Sequence, residues 1–127
     1  MAQNRVVLLE QDLTEKIIGI CFEVANELGS GFLESVYRKS LSLGLEEQGL
    51  RVQSQVPLKV MFRGYVVGNF YADLVVEDRI VLEIKAVTFL TPDFEAQLIN
   101  YLRATGCKVG LLINFGRRRV EWKRLVY

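Results

Sequence analysis

The sequence predicts an α/β fold in which helices flank a mixed central β-sheet, with the element order α-α-β-β-β-α-β-β. Amphipathic stretches with apolar residues at three- and four-residue steps are followed by short apolar runs bounded by turn residues. Half of the 127 residues are hydrophobic and 24% are charged, a composition typical of a globular protein. Because the chain shows no linker and no internal repeat, we expect residues 1–127 to form a single domain.

Three helices are predicted from apolar periodicity and from the residues at their ends. The first spans residues 12–28 and ends at the glycine-rich residues 29–31. The second follows from about residue 32 to residue 48. The third begins at Thr91, a typical capping residue that precedes a proline, and ends near Gly106.

Five strands are predicted, and short turns join the first three. Arg63-Gly64 is a turn between the first two strands, and Glu77-Asp78 lies between the second and the third. The fourth strand is apolar, whereas the last is basic and more exposed. The predicted strands are residues 51–62, 65–76, 79–88, 107–115 and 117–127.

The chain contains no histidine, which narrows the chemistry that it can perform. Hydrolases with a histidine base are excluded, as are nucleases with histidine metal ligands and most zinc sites. A metal would need oxygen ligands, which favours Mg²⁺ or Mn²⁺. The isolated Cys21 and Cys107, the lack of a secretory signal and the lack of a long apolar run predict a cytoplasmic protein without a membrane segment.

Three charged residues interrupt the apolar second and third strands. Glu83 and Lys85 are two positions apart, so their side chains leave the same face of the sheet. A two-residue turn would point Asp73 away from Glu83, whereas a three-residue loop or a bulge would place the two carboxylates directly across from each other. Adjacent carboxylates repel unless a cation binds them. The alternatives are a divalent-metal site with Lys85 beside it, or a partly exposed Glu-Lys-Asp ion cluster.

The predicted helices carry further polar residues that could face these charges. Glu34 lies early in the second helix and Tyr37 one turn later; Glu34 could instead form a capping box with Gly31 as the cap, and Tyr37 could be a core aromatic. Gln97 and Tyr101 are four residues apart and so lie on one face of the third helix, where they could equally form an amphipathic border. Spacing alone leaves both interpretations of each residue open.

In this order the residues resemble the PD-(D/E)XK nuclease superfamily, and "GFLESVY" at residues 31–37 is similar to the signature of its small GxxExxY family. The resemblance implies a restriction-endonuclease-like core. In such a core Asp73 and Glu83 bind Mg²⁺ or Mn²⁺, and Lys85 assists the attacking water. Ala72 stands where the pattern has a proline, which is one of its looser positions.

The same resemblance implies roles for the helix residues. Glu34 would join the metal shell directly or through water, which makes it a fourth catalytic candidate. Gln97, Tyr101 and Tyr37 would line the site.

The function implied by the resemblance is Mg-dependent hydrolysis of phosphodiester bonds in DNA, which could be structured or single-stranded. One alternative is a non-catalytic module that binds nucleic acid or protein on the same fold, as a partner of a larger DNA-processing enzyme. Another is a homodimeric junction resolvase, for which an exposed apolar interface would be the sign.

Binding to nucleic acid would depend on a local basic patch, because a net charge of +1 gives no general attraction to phosphates. The residues of this candidate patch are Arg117, Arg118, Arg119, Lys123 and Arg124. The same cluster could instead be a strand edge that is protected by charge.

Overall fold

The computed structural model describes residues 10–127, and its helices and strands follow the predicted order, which confirms the α/β fold class. The helices are α1 (Gln11–Leu28), α2 (Glu34–Glu47) and α3 (Pro92–Thr105). The strands are β1 (Val52–Phe62), β2 (Tyr65–Val76), β3 (Ile80–Lys85), β4 (Val109–Asn114) and β5 (Glu121–Val126). The prediction that the N-terminal segment is not an export signal falls mostly on residues 1–9, which lie outside the described residues. None of the helices within residues 10–127 is long and apolar enough to cross a membrane.

The five strands form one mixed sheet in the order β1-β2-β3-β4-β5. β3 and β4 are parallel, whereas the other neighbouring strands are antiparallel. Parallel neighbours need a crossover connection, which α3 provides between β3 and β4. The carboxyl ends of these two strands therefore meet at one edge of the sheet, where Lys85 pairs with Asn114.

Each face of the sheet has its own apolar core. α1 and α2 cover one face, where Leu74 of β2 and Leu82 of β3 are fully buried. α3 covers the other face, and its Leu98 is fully buried there. Because side chains alternate along a strand, Asp73 and Glu83 project toward α3.

β1 and β2 bend at the position of Asp73. Leu74 is buried under α1 and α2, but Ala72, two residues away, belongs to the core on the α3 side, so the alternation of the strand is broken between them. On the neighbouring β1 strand Gln55 has a φ of 50°, which residues other than glycine rarely adopt. The bend directs the far part of the β1–β2 hairpin over α3 and leaves Asp73 at the turning point.

Three of the boundaries that differ from the predictions bear on the candidate site residues. α2 begins at Glu34, because Leu33 is extended (φ −70°, ψ 157°) and is the N-cap; Gly31 is not the cap, so the capping-box alternative for Glu34 is wrong. β3 ends at Lys85, three residues before the predicted end. β5 begins at Glu121, so residues 117–119 lie in the turn that follows β4 and not on a strand.

Candidate active site

Asp73 and Glu83 face each other where β2 and β3 separate. Val76 pairs with Ile80, which leaves residues 77–79 as a three-residue loop. This is the loop length that the sequence required for the two carboxylates to lie on one face. The regular backbone pairing of β2 with β3 runs from Val76 to Leu74 and stops before it reaches Asp73.

At Asp73 and Glu83, hydrogen bonds from backbone N–H groups to the two carboxylates replace the regular backbone hydrogen bonds between β2 and β3. The backbone N–H of Asp73 donates to Oε1 of Glu83 (3.1 Å), and the backbone N–H of Ile84 donates to Oδ2 of Asp73 (2.7 Å). Each carboxylate is thus held by an N–H group of the opposite strand. The separated strands and the two fixed side chains form the floor of the candidate site.

Glu83 is only 3% exposed, and its surroundings favour the neutral carboxyl group. Burial, followed by the negative charge of Asp73, raises the pKa of Glu83 from 4.5 to about 9, while the positive charge of Lys85 opposes the shift. Such a displacement is typical of carboxyl groups that share a site without a cation. Without a cation, the pair therefore holds one proton at neutral pH.

Lys85 leaves the same face of β3 as Glu83 and is held by two side chains of α3. Its Nζ donates to Oε1 of Gln97 (3.4 Å) and lies 4.5 Å from the centre of the Phe94 ring. The side chain is partly exposed, so a substrate could reach it. Lys85 therefore supplies a positioned positive charge beside the carboxylate pair.

α3 presents Gln97 and Tyr101 on the face that turns toward these groups. Gln97 contacts Lys85, whereas the buried Tyr101 stacks on Phe70 with 4.7 Å between ring centres. Burial, followed by the negative charges of the two carboxylates, raises the pKa of Tyr101 to about 12. The phenol therefore stays protonated and is able to donate a hydrogen bond into the site.

Glu34 is exposed at the first position of α2, and it lines a small surface pocket with Arg38 and Ala86, the residue after Lys85. In the described part of the chain, no three Asp, Glu, Cys or His side chains are close enough together to hold a metal ion. Asp73 and Glu83 therefore meet as a pair. The participation of Glu34 in a metal shell stays a prediction.

A sequence profile of the PD-(D/E)XK nuclease superfamily matches residues 11–125. The chain belongs to this superfamily. PD-(D/E)XK proteins are generally nucleases and usually use divalent metals. The mixed five-stranded sheet flanked by helices is consistent with a restriction-endonuclease-like fold.

The chain is also similar to a solved structure, the crystal structure of SSO0001. The two share 19% sequence identity with a TM-score of 0.56, over 98% of this chain. The chain spans 62% of the length of SSO0001, and at this identity the similarity supports the fold alone. None of the curated proteins matches the chain in sequence.

The donor set of the candidate site fits a hard divalent cation. Mg²⁺ commonly binds proteins through one or two carboxylates, while water and substrate phosphates complete its shell. Asp73 and Glu83 supply two carboxylates on one face, so a third protein carboxylate is not required. A cation would also offset the repulsion that raises the pKa of Glu83.

Tyr37 is fully buried and orders the segment that leads into α2. Its hydroxyl donates to the carbonyl of Gly29 (2.7 Å) and accepts from the N–H of Phe32 (3.3 Å), which matches the alternative of a core aromatic with a satisfied hydroxyl. Its ring stacks on Phe115 with 4.7 Å between centres. Phe115 donates its N–H to the carbonyl of Lys85 (2.8 Å), so Tyr37 supports the strand end that carries the lysine.

Sequence reasoning missed Asn114 and Gly116, which fix the chain immediately after Lys85. Asn114 is fully buried; its Oδ1 accepts from the N–H groups of Val87 and Gly116 (2.9 Å each), and its Nδ2 donates to the Val87 carbonyl (2.8 Å). Gly116 packs so closely on this segment that a Cβ atom would overlap backbone atoms of Val87. The only signal in the sequence was one amide residue in the apolar run "GLLINF".

The basic residues are divided between a turn and a strand. Residues 117–119 are exposed in the turn that follows β4, at the sheet edge where Lys85 also lies, and Arg117 is 5.1 Å from the centre of the Phe89 ring. Lys123 on β5 forms a salt bridge with Glu95 of α3 (2.6 Å). The turn therefore presents the more accessible positive charge.

Proposed function

We propose that this protein hydrolyses phosphodiester bonds in DNA with the help of Mg²⁺ or Mn²⁺. The observation that carries the proposal is the convergence of Asp73, Glu83 and Lys85 on one face of the sheet. Burying two like charges side by side destabilises a fold unless they bind a cation or a proton. A strongly shifted carboxyl pKa in a cleft is typical of a functional site.

Asp73 and Glu83 would hold the cation, with Glu34 as a further ligand directly or through water. When bound, the divalent cation makes water a stronger nucleophile at neutral pH and offsets the charge that grows on the phosphate. The N–H groups of Asp73 and Ile84 already fix the two carboxylates in one orientation. Little rearrangement of the protein is then needed at the moment of reaction.

Lys85 would act on the phosphate or on the attacking water. Its ammonium group would donate to an oxygen on which negative charge develops, so the interaction would strengthen in the transition state. Gln97 and Phe94 hold the ammonium group in place through the contacts described above. Tyr101, with its raised pKa, would donate a second hydrogen bond to the same oxygen atoms.

DNA would approach from the edge of the sheet where β3 and β4 end. Residues 117–119, together with Lys123, would contact its phosphates, which fixes the position of the strand without reading its sequence.

Gly31, Glu34 and Tyr37 support a place in the GxxExxY family, and the reduced cysteines support a cytoplasmic location.

A non-catalytic binding module is the second candidate. It is favoured by the net charge of +1 and by the salt bridge that Lys123 forms with Glu95, both of which weaken the attraction to DNA. Such a module would keep the fold and the carboxylate pair without turnover.

A cleavage assay separates the two candidates. Wild-type protein is incubated with single-stranded, duplex and branched DNA in Mg²⁺ or Mn²⁺, and it should cut at least one of them. Lys85→Ala should lower the rate by about a hundredfold or more while DNA affinity stays within about twofold. Lys108→Ala, an exposed lysine that precedes β4 at the opposite edge of the sheet, is the matched control and should leave the rate unchanged.

Two outcomes would decide against the nuclease. DNA binding without cleavage in either metal would favour the binding module. Absence of both binding and cleavage would contradict any role in DNA metabolism that depends on this site.

A further inference from the structure

The distal hairpin, defined here as residues 56–72 of β1 and β2, extends beyond the rest of the sheet. β3 pairs with β2 only from Leu74 to Val76, so the distal hairpin is a ribbon of two strands. A tight turn closes it at Arg63 and Gly64, whose φ angles are 52° and 82°. α3 covers the part of the ribbon that carries Val56, Leu58 and Phe70, and a two-stranded ribbon is marginally stable in water where no other surface covers it.

The distal hairpin exposes an unusual amount of apolar surface. Seven large apolar side chains on it are between 43% and 75% exposed: Val60, Met61, Phe62, Tyr65, Val66, Val67 and Tyr71. Since fully exposed side chains of this size present about 150–250 Å² each, these seven expose roughly 700 Å². The largest apolar patch of a typical monomer is about 300–600 Å². Because side chains alternate along each strand, this area is divided between the two faces of the ribbon, and only its total exceeds what a single apolar patch of a monomer usually exposes.

The two edges of the distal hairpin differ in how they are protected. The β1 edge carries Pro57 and Lys59, residue types that discourage further strand pairing. The segment of β2 from Tyr65 to Ala72, "YVVGNFYA", contains neither a charge nor a proline. On its outer side this segment pairs with no other strand of residues 10–127. It is an open edge without the usual defences.

We infer that the distal hairpin binds the distal hairpin of a second copy of this chain, in a dimer with two-fold symmetry. In such a dimer the open β2 edges pair antiparallel, so the apolar side chains around the turn of one copy pack against those near Tyr71 of the other. If the side chains on both faces of the ribbon were covered in both copies, the interface would bury roughly 1,400 Å², within the range of about 1,200–2,000 Å² for stable interfaces. A two-fold contact of a surface with itself closes after two copies, so it forms no fibre.

The charges of the distal hairpin agree with a second copy and not with nucleic acid. Its only charged residues before Asp73 are Lys59, on the protected edge, and Arg63, which lies 4.9 Å from the centre of the Phe62 ring at the turn. A surface that binds DNA needs several cations facing phosphates. Apolar groups that pack against apolar groups need no opposite charge.

The paired edge of the distal hairpin approaches the candidate active site at one end only. Tyr65 is eight residues along the strand from Asp73, a distance of roughly 25 Å. Pairing of residues 65–72 therefore reaches Asp73 only through Ala72, and dimer formation does not depend on nuclease activity.

Sedimentation velocity of the full chain over about 1–200 µM tests the interface, because mass action makes a reversible dimer depend on concentration. The wild type should form dimers, and Val67→Lys, which adds a charge to the open edge, should raise the dissociation constant at least about a hundredfold. Leu43→Lys on α2 is the matched control, because Leu43 is 63% exposed and Val67 60%, and it should dimerise like the wild type.

Amide hydrogen exchange on the wild type supplies a second measurement that needs no variant. Exchange of residues 65–72 should slow as the concentration rises, while other exposed segments stay unchanged. A wild type that remains monomeric at the highest concentration, a dimer that Val67→Lys does not weaken, or open-ended assemblies would overturn the inference. Protection of residues 65–72 that appears only when DNA is added would overturn it as well.

Discussion

We expect the stability of the metal-free protein to depend on pH through Glu83, in a pH interval in which few other groups titrate. Its pKa is about 9 in the folded protein, against 4.5 for an ordinary glutamate. The folded state thus keeps a proton that the unfolded state releases. This stabilisation is complete below pH 4.5 and is lost as the pH rises toward about 9. Because the chain has no histidine, the interval from about pH 6 to pH 8 contains no other ordinary side-chain titration.

The size of the effect follows from the one proton that separates the two states. A difference of one proton changes the free energy of unfolding by about 1.4 kcal/mol per pH unit, and therefore by about 3 kcal/mol between about pH 6 and pH 8. For a domain of this length, about 1 kcal/mol shifts the melting temperature by roughly 3–5 °C. Circular dichroism in metal-free buffer should therefore show a decrease of roughly 10 °C over this interval.

Two variants show whether Glu83 is the cause. Glu83→Gln keeps the side-chain shape and an oxygen that accepts from the N–H of Asp73, but it cannot ionise, so its melting temperature should be nearly independent of pH in this interval. Glu47→Gln, at the exposed end of α2, should retain the wild-type dependence. A wild type with a flat profile, or a Glu83→Gln variant with the wild-type slope, would refute the reasoning.

Gln97→Leu removes the acceptor that holds Lys85 Nζ, so the cleavage rate should fall by about tenfold, less than for Lys85→Ala, with Mn²⁺ affinity unchanged. Replacing residues 117–119 by glutamine should weaken DNA binding for all sequences alike, and fluorescence anisotropy should show a salt dependence whose slope is shallower by about one unit for each arginine that binds a phosphate. Tyr37→Phe removes the hydroxyl that bonds the carbonyl of Gly29, so urea unfolding should show a loss of about 1 kcal/mol or slightly more.

Each of these expectations has a contradicting result. A Gln97→Leu variant that loses metal binding along with activity would show that Gln97 does more than hold the lysine. An unchanged salt dependence would remove residues 117–119 from the DNA interface. A Tyr37→Phe variant with full stability would leave the segment before α2 ordered by other contacts.

The order of elements and the shared face of Glu83 and Lys85 follow from the sequence, because periodicity and chain alternation are local properties. Whether Asp73 and Glu83 face each other depends on the length of the loop between β2 and β3, and the local sequence did not determine that length. In the structure Glu77 donates its N–H to the Arg51 carbonyl, and the Arg51 N–H donates to the Glu77 carboxylate, at 2.8 Å each. These bonds join residues 26 apart in the chain, so no local pattern reveals them.

Long-range contacts also explain what the sequence did not predict. Asn114 bonds Val87, 27 residues away, and its role is visible only when β3 and β4 are paired. The bend at Gln55 has no glycine to mark it, since Gln55 itself adopts the positive φ. The extended Leu33 that delays the start of α2 follows a segment held by the Tyr37 hydroxyl.

The proposed nuclease activity requires Asp73 and Glu83 to form one divalent-metal site, which direct Mn²⁺ binding measured by electron paramagnetic resonance can test. The wild type should bind Mn²⁺ with a dissociation constant below about 1 mM, and Asp73→Asn should weaken binding by about tenfold or more. Asp12→Asn, an exposed residue of α1, is the matched control and should bind like the wild type. A wild type that binds no Mn²⁺ at millimolar concentration, or an Asp73→Asn variant that binds it equally well, would contradict the metal site.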